Sequence, residues 1–267
     1  MVLHPGFTPS HRGGRGAPLV CLHGFMDTWR TWQLVLPALE QRHDVLAPTL
    51  PGHAGGPRID GEPTVAAVLG AVERAMDEAG LQTAHVAGNS LGGYVALRLA
   101  ERGRARSVVA LAPAGGWARG DESFRETLAG QRRLQEQARA VAPHADAIAR
   151  TPEGRRQATQ QLVERADHLP PDLVAHLIRG VAACDAAGAM IDTALREGWI
   201  IEPERIACPV RVVWGTADRL LPWPSAAERY RREWLQHAEW VELDGVGHAP
   251  QLDVPLEAAE LILGLTA

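Results

Sequence analysis

The sequence places one serine between glycines where a predicted strand meets a predicted helix. The segment reads Gly88-Asn89-Ser90-Leu91-Gly92-Gly93 and follows an apolar run that ends at Ala87. A Gly-x-Ser-x-Gly motif at a strand-to-helix turn holds its serine on a strained turn, and the glycines allow strand and helix to approach closely. We therefore predict that Ser90 is a nucleophile. The alternative is a serine that only caps a helix in a glycine-rich turn.

A serine hydroxyl is a poor nucleophile near neutral pH, so it needs a base that a third group orients. Asp218 follows a predicted strand that ends at Trp214, and His248 follows one that ends at Leu243. The carboxyl ends of parallel strands meet at one edge of a sheet, so these side chains are expected near Ser90. We predict Asp218 as the acid and His248 as the base. Weaker candidates for the acid are Asp185, Asp192, Asp244 and Asp253.

Short apolar runs alternate with amphipathic helical segments over most of the chain. This alternation predicts an α/β fold with a mostly parallel, doubly wound sheet. The predicted strands cover residues 18–22, 44–47, 83–87, 107–111, 210–214 and 239–243. The predicted helices cover residues 29–41, 64–78, 91–101, 225–234 and 255–265.

The alternation stops between residues 116 and 200, where no strand is predicted. This segment holds 11 arginines and 12 acidic residues, a mixed-sign pattern that is typical of exposed helices. An insertion that leaves a sheet and returns to it usually covers an active site. We therefore predict an α/β core at 1–115 and 201–267 and an all-helical cap, or lid, at 116–200. One or two of its arginines are candidates for binding a substrate carboxylate.

Composition excludes several classes of protein. All 27 basic residues are arginines, so lysine-based Schiff-base and pyridoxal phosphate chemistry are excluded. The net charge of -5 argues against nucleic-acid binding. No metal-ligand motif, dinucleotide motif or run of about 18 apolar residues is present. We expect no cofactor, no metal and no membrane contact, a cytoplasmic location, and a monomer or homodimer that acts on a small molecule.

The motif at Ser90 and the chain order Ser90, Asp218, His248 resemble the α/β-hydrolase superfamily, from about residue 18 to residue 265. His23-Gly24-Phe25 resembles the family's oxyanion loop. The resemblance implies that the backbone N–H groups of Phe25 and Leu91 bind the oxyanion. Two departures are visible: the N-terminus has room for one strand before residue 18 instead of two, and Thr49 stands where the family often has aspartate.

The resemblance implies a cofactor-independent serine hydrolase that cleaves a small to medium carboxylic ester through an acyl-enzyme. Dehalogenases and epoxide hydrolases of this fold use aspartate at the position of Ser90, which disfavours both reactions. Meta-cleavage-type carbon-carbon hydrolysis, perhydrolysis, and a ligand-binding or sensor role without turnover stay open. The predicted pocket residues are Met26, Trp117, Met190 and Leu221.

Overall fold

A seven-stranded sheet forms the centre of the molecule in a computed structural model that describes residues 6–266. The strand order is β1-β3-β2-β4-β5-β6-β7, with β1 antiparallel to β3 and all other pairs parallel. The strands are β1 Ser10–Gly14, β2 Ala17–Leu22, β3 His43–Pro48, β4 Ala84–Asn89, β5 Ala105–Leu111, β6 Val210–Gly215 and β7 Glu239–Leu243. The predicted fold class is confirmed, and one strand precedes β2, as expected.

The described residues form ten α-helices, of which five lie between β5 and β6 in the chain. They are α1 Leu36–Leu39, α2 Val65–Glu78, α3 Leu91–Glu101, α4 Ser123–Val141, α5 Ala145–Arg150, α6 Pro152–Thr159, α7 Pro171–Ala182, α8 Ala187–Glu197, α9 Pro250–Asp253 and α10 Pro255–Thr266. The Thr64 side chain caps α2 by accepting a hydrogen bond from the N–H of Ala67 at 3.1 Å. The bounds of α2, α3 and α10 agree closely with the sequence-based prediction. For α2, the cap at Thr64 is a local feature that the sequence shows directly.

Two predicted helices are broken into shorter pieces. Residues 29–41 form a 3₁₀ turn, Trp29–Trp32, and the short α1. Pro37 lies in the first turn of α1, where its missing N–H is tolerated, but it cannot continue a helix from residue 29. Residues 225–234 form a 3₁₀ turn and a π turn. There the N–H of Arg229 donates to the carbonyl of Gly116 at 2.7 Å and so leaves the helical pattern.

The sheet buries both of its faces. Along β2, Val20 and Leu22 pack into one apolar cluster with α2 and α3, whereas Leu19 and Cys21 pack into a second cluster with α1 and α10. Successive side chains of a strand point to opposite faces, so a run such as Leu19 to Leu22 is apolar at every position. The strands β2, β4 and β5 lie next to one another at the centre of this sheet, and their carboxyl ends carry the candidate site.

The helices α4 to α8 all lie between β5 and β6, and no described residue between these strands forms a strand. Their mutual packing includes α7 against both α4 and α5. The domain boundaries at 115/116 and 200/201 stay predictions. No single helix within residues 6–266 is long and apolar enough to cross a membrane, although the bent pair α7 and α8 passes by length and composition. The cytoplasmic location and the oligomeric state also stay predictions.

Candidate active site

Ser90 lies on the sharp turn between β4 and α3. Its backbone has φ 55° and ψ −117°, a conformation that L residues rarely adopt. The neighbouring glycines make the turn possible. A Cβ at Gly88 would lie 2.2 Å from the carbonyl oxygen of Gly92, and a Cβ at Gly92 would lie 2.1 Å from that of Leu22. The turn therefore holds Ser90 in a strained position at the end of β4, as the motif predicts.

His248 and Asp218 form a buried pair close to this turn. The ring Nδ1 of His248 lies 2.7 Å from Oδ2 of Asp218, and Oδ1 of Asp218 accepts hydrogen bonds from the N–H groups of Leu220 and Leu221. Because the carboxylate can only accept, Nδ1 carries the hydrogen and Nε2 has a free lone pair. Nε2 is buried and has no hydrogen-bond partner among residues 6–266, the Ser90 hydroxyl included. The pair thus presents an oriented imidazole that is able to take up a proton.

The other candidate acids have different partners. The carboxylate of Asp253 accepts three backbone N–H groups, from Glu164, Arg165 and Gly247, at 3.1, 2.8 and 2.7 Å. Asp244 accepts a hydrogen bond from the Thr216 hydroxyl at the surface. Asp218 is therefore the carboxylate that the fold brings to His248. Asp253 instead ties the residue before His248 to residues 164 and 165 of the inserted segment.

Two backbone N–H groups lie beside Ser90, those of Phe25 and Leu91, and their role in binding an oxyanion stays a prediction. The loop after β2 approaches so closely that a Cβ at Gly24 would lie 3.3 Å from Cβ of Ser90. The N–H of Phe25, the next residue, donates to no described residue. Leu91 is the first residue of α3, so its N–H has no intrahelical acceptor. Both N–H groups are therefore available to a ligand at Ser90.

His23 in the same loop has a structural position. Its Nε2 accepts a hydrogen bond from the N–H of Leu50 at 2.7 Å, so its Nδ1 donates to the carbonyl of Gly24 at 2.7 Å. Burial, followed by repulsion from His53, holds the pKa of His23 well below its usual value. Burial likewise lowers the pKa of His53 to about 4. Both rings are therefore neutral at pH 7, and His23 fixes the loop that precedes Phe25.

A buried hydrogen-bond chain behind the turn gives no recognisable sequence signal. The amide of Gln251 donates to the side-chain oxygens of Thr31 and Asn89, at 3.1 Å each. The Asn89 amide in turn donates to the carbonyl oxygens of Leu111 and His248, at 3.1 and 3.0 Å. These bonds connect the residue before Ser90 with the backbone of His248. Sequence reasoning missed Gln251 because its partners are distant in the chain.

A cavity of about 90 Å³ opens beside Ser90, between the ends of the strands and the helices α4 and α8. Its lining is mostly apolar and includes Phe25, Leu91, Trp117, Met190, Leu220 and Leu221. The predicted pocket residue Met26 is not among the lining residues. Its side chain is fully buried against Cys184 and Ala187, which corrects that assignment. No arginine lines the cavity among the described residues, which also corrects the expected carboxylate contact.

Residues 19–261 match the family model described as "Alpha/beta hydrolase family". The chain belongs to the alpha/beta hydrolase family. This match covers most of the chain, and it confirms the resemblance that rests on the motif at Ser90. A hydrolase activity follows from the family, whereas the substrate does not, because one fold carries many reactions. Within residues 6–266 of this hydrolase, no cluster of three or more histidine, cysteine or acidic side chains is placed to hold a metal ion.

Similar proteins include hydrolases of several kinds. The hydrolase is 38% identical over 197 residues to "Epoxide hydrolase EphH" of Mycobacterium tuberculosis, an alignment that covers 72% of this chain and 89% of that protein. A thermophilic esterase from Thermogutta terrifontis is 21% identical, covers 96% and 91% of the two chains and has a TM-score of 0.71. A meta-cleavage product hydrolase from Pseudomonas fluorescens is 19% identical, covers 96% and 92% and also has a TM-score of 0.71. The solved structures show a shared fold.

Proposed function

We propose that this alpha/beta hydrolase cleaves small to medium carboxylic esters through an acyl-enzyme on Ser90, without a cofactor. The observation that carries the proposal is the position of Ser90. It lies on a strained turn at the mouth of an apolar cavity, beside a histidine that Asp218 orients. Such a cavity accepts an alkyl or acyl group, and a serine with an oriented imidazole is suited to acyl transfer.

In the proposed first step, the Ser90 oxygen attacks the ester carbonyl carbon while Nε2 of His248 takes the hydroxyl proton. The negative charge that develops on the carbonyl oxygen is bound by the N–H groups of Phe25 and Leu91. Loss of one such donor in a serine hydrolase typically costs about 3 kcal/mol of transition-state stabilisation. His248 then gives the proton to the departing alcohol, and the acyl group stays on Ser90.

In the second step, His248 takes a proton from a water molecule that attacks the acyl-enzyme. It then gives this proton to the Ser90 oxygen as the carboxylic acid leaves. Asp218 stays ionised, keeps Nδ1 protonated and stabilises the imidazolium that forms in both steps. The chain lacks lysine and needs none, because a hydroxyl, an imidazole, a carboxylate and two N–H groups suffice. This set of groups is suited to the hydrolysis of an activated carbonyl.

Epoxide hydrolysis is the second candidate, because the relative from Mycobacterium tuberculosis carries that name. Attack of the Ser90 oxygen on an epoxide carbon would form an ether, which has no carbonyl for water to attack. A covalent route through Ser90 would therefore stop after one turnover. An epoxide would require direct attack by a water molecule that His248 activates. The ester route uses every group placed around Ser90 and is preferred on that ground.

A fluorophosphonate probe and a panel of esters test the proposal. Intact-mass measurement is expected to show one adduct on the wild type and none on Ser90→Ala. Turnover of short and medium acyl esters is expected to fall at least about a thousandfold in Ser90→Ala. An equal adduct on Ser90→Ala would contradict the role of Ser90. Negligible ester turnover together with rapid turnover of an epoxide, a carbon-carbon substrate or a peracid would favour the corresponding competing activity. Negligible turnover of every substrate together with a large ligand-induced melting shift would favour a ligand-binding role.

A further inference from the structure

The cavity beside Ser90 has two walls of different polarity. We call the side formed by Phe25, Ser90, Leu91 and Leu221 the core wall, and the side formed by Thr127, Gln131, Met190 and Thr193 the helical wall. The core wall comes from the loops after β2, β4 and β6 and the start of α3, and the helical wall comes from α4 and α8. Apart from Ser90 the core wall is apolar, whereas α4 and α8 contribute Thr127, Gln131, Thr193 and Glu197 to the lining together with apolar residues such as Leu128 and Ile191.

Gln131 is the most unusual of these residues. The residue is only 7% exposed, and its side-chain amide forms no hydrogen bond with another described residue. Gln135, one turn further along α4 and equally buried, donates to the carbonyl oxygens of Val181 and Cys184. Buried side-chain amides are normally satisfied in this way. An unpaired amide that lines a cavity is therefore free to form a hydrogen bond with a ligand there.

Two further donors lie along the same cavity. The hydroxyl oxygen of Thr193 accepts a hydrogen bond from Arg196 at 3.3 Å, which leaves the hydroxyl hydrogen free to donate. Trp199 lines the cavity too, and its buried indole N–H has no partner in the described part of the chain. Together with the Gln131 amide, these groups are N–H and O–H donors in a mostly apolar lining.

The charges around the cavity define the complementary ligand. No arginine or histidine is among the described residues that line it, and the lining includes one acidic residue, Glu197. An anionic substrate group would therefore be desolvated without a counter-ion and would lie near a negative charge. A neutral oxygen, as in a ketone, hydroxyl or ether, accepts hydrogen bonds and carries no such cost.

We propose that Gln131 and Thr193 form a polar subsite for a neutral oxygen on the acyl chain of the substrate. This inference rests on the proposed ester hydrolysis and narrows it. The preferred substrates are then esters whose acyl chain carries an oxo or hydroxyl group, and simple alkyl esters are poorer. A site built to hydrogen-bond one group discriminates against the analogue that lacks it, because its own polar groups are then unpaired.

Matched esters test this subsite. We compare kcat/KM for an aryl hexanoate and for its analogues with a carbonyl in place of one remote methylene, each corrected for its rate of alkaline hydrolysis. The wild type is expected to favour an oxo ester by about tenfold, the size of one neutral hydrogen bond. Gln131→Met is expected to abolish this preference. Gln137→Met, on the exposed side of α4, is the matched control and is expected to keep the preference.

Binding provides a second measurement that does not require turnover. In Ser90→Ala, the Kd for the oxo ester is expected to be lower than the Kd for the plain ester. Adding Gln131→Met or Thr193→Val to this variant is expected to remove the difference. Equal kcat/KM values in the wild type, or an unchanged ratio in folded Gln131→Met and Thr193→Val, would overturn the subsite and leave ester hydrolysis standing. Absence of turnover with either ester would instead overturn ester hydrolysis, and the Kd ratio would still decide on the subsite.

Discussion

The core wall and the helical wall of the cavity are built by different kinds of contact. Around the core wall, backbone packs directly against backbone. Gly88 and Gly92 allow β4, α3 and the end of β2 to approach at distances that a single Cβ would block. Among residues 6–266, the non-glycine residues with positive φ are Met26, Ser90 and Ala112, and they follow the adjacent strands β2, β4 and β5, respectively. Strain of this kind persists only where the surrounding structure fixes the backbone.

The helical wall depends on side chains. An ion pair at the surface, between Arg132 and Asp192, joins its helices α4 and α8. Its helical glycines have space around them, and a Cβ at Gly130 would lie 3.9 Å from its nearest neighbour, a flexible arginine. The difference indicates that the proposed chemistry is fixed by the backbone, and that selectivity resides in side chains that are free to change.

A glycine-to-alanine substitution beside each wall gives the largest expected difference in stability. Gly92→Ala would place a Cβ 2.1 Å from the carbonyl oxygen of Leu22, so α3 must move away from β2. We expect a loss of about 3 kcal/mol in the free energy of unfolding and loss of activity. Gly130→Ala in α4 has no such contact and removes backbone freedom, so a gain of about 0.5–1 kcal/mol is expected.

Chemical denaturation measures both effects, and the fluorophosphonate reaction reports on the turn at Ser90. Equal stability changes for the two alanine variants would contradict the distinction between the walls. A Gly92→Ala protein with normal stability and full reactivity would show that the turn tolerates a wider separation of α3 and β2.

Asp253 connects the two regions and gives the next largest effect. Asp253→Asn keeps the shape but removes the charge and one of the two acceptor oxygens that bind three N–H groups. Hydrogen bonds to a charged group contribute about 1.5–3 kcal/mol each, so a loss of about 2 kcal/mol in stability is expected. Because Gly247 precedes His248, kcat is expected to fall about tenfold through misplacement of the imidazole.

Asp244→Asn is the matched control, because its carboxylate accepts one exposed hydrogen bond from Thr216. It is expected to leave kcat unchanged. If Asp253→Asn lowered stability but kept the kcat of the wild type, Asp253 would hold the inserted segment without positioning His248.

The core wall was largely predictable from the sequence. The Gly-x-Ser-x-Gly motif, the turns before Asp218 and His248 and the short apolar strands are local signals, and the structure brings all three side chains to one edge of the sheet. The family model confirms the fold that these signals predict. The roles of Ser90, Asp218 and His248 in catalysis stay predictions.

The side chains that line the cavity were less predictable. Trp117, Met190 and Leu221 line the cavity, but Met26 turns into a separate cluster, and Gln131 was not singled out. Side-chain direction within an insertion depends on how five helices pack, and amphipathic periodicity does not specify that packing. The arginines expected near a substrate carboxylate instead form surface ion pairs, because exposed charges avoid desolvation.

The smallest expected effect concerns the ion pair between Arg132 of α4 and Asp192 of α8. Both side chains are about half exposed, so their coupling in a double-mutant cycle is expected to be about 0.2–1 kcal/mol and to weaken in high salt. If this pair also keeps α4 and α8 in register around Gln131 and Thr193, Arg132→Ala will reduce the preference for an oxo ester more than it reduces stability. A lower melting temperature with an unchanged ester preference would show that the pair only stabilises the surface, and that apolar packing alone sets the geometry of the subsite.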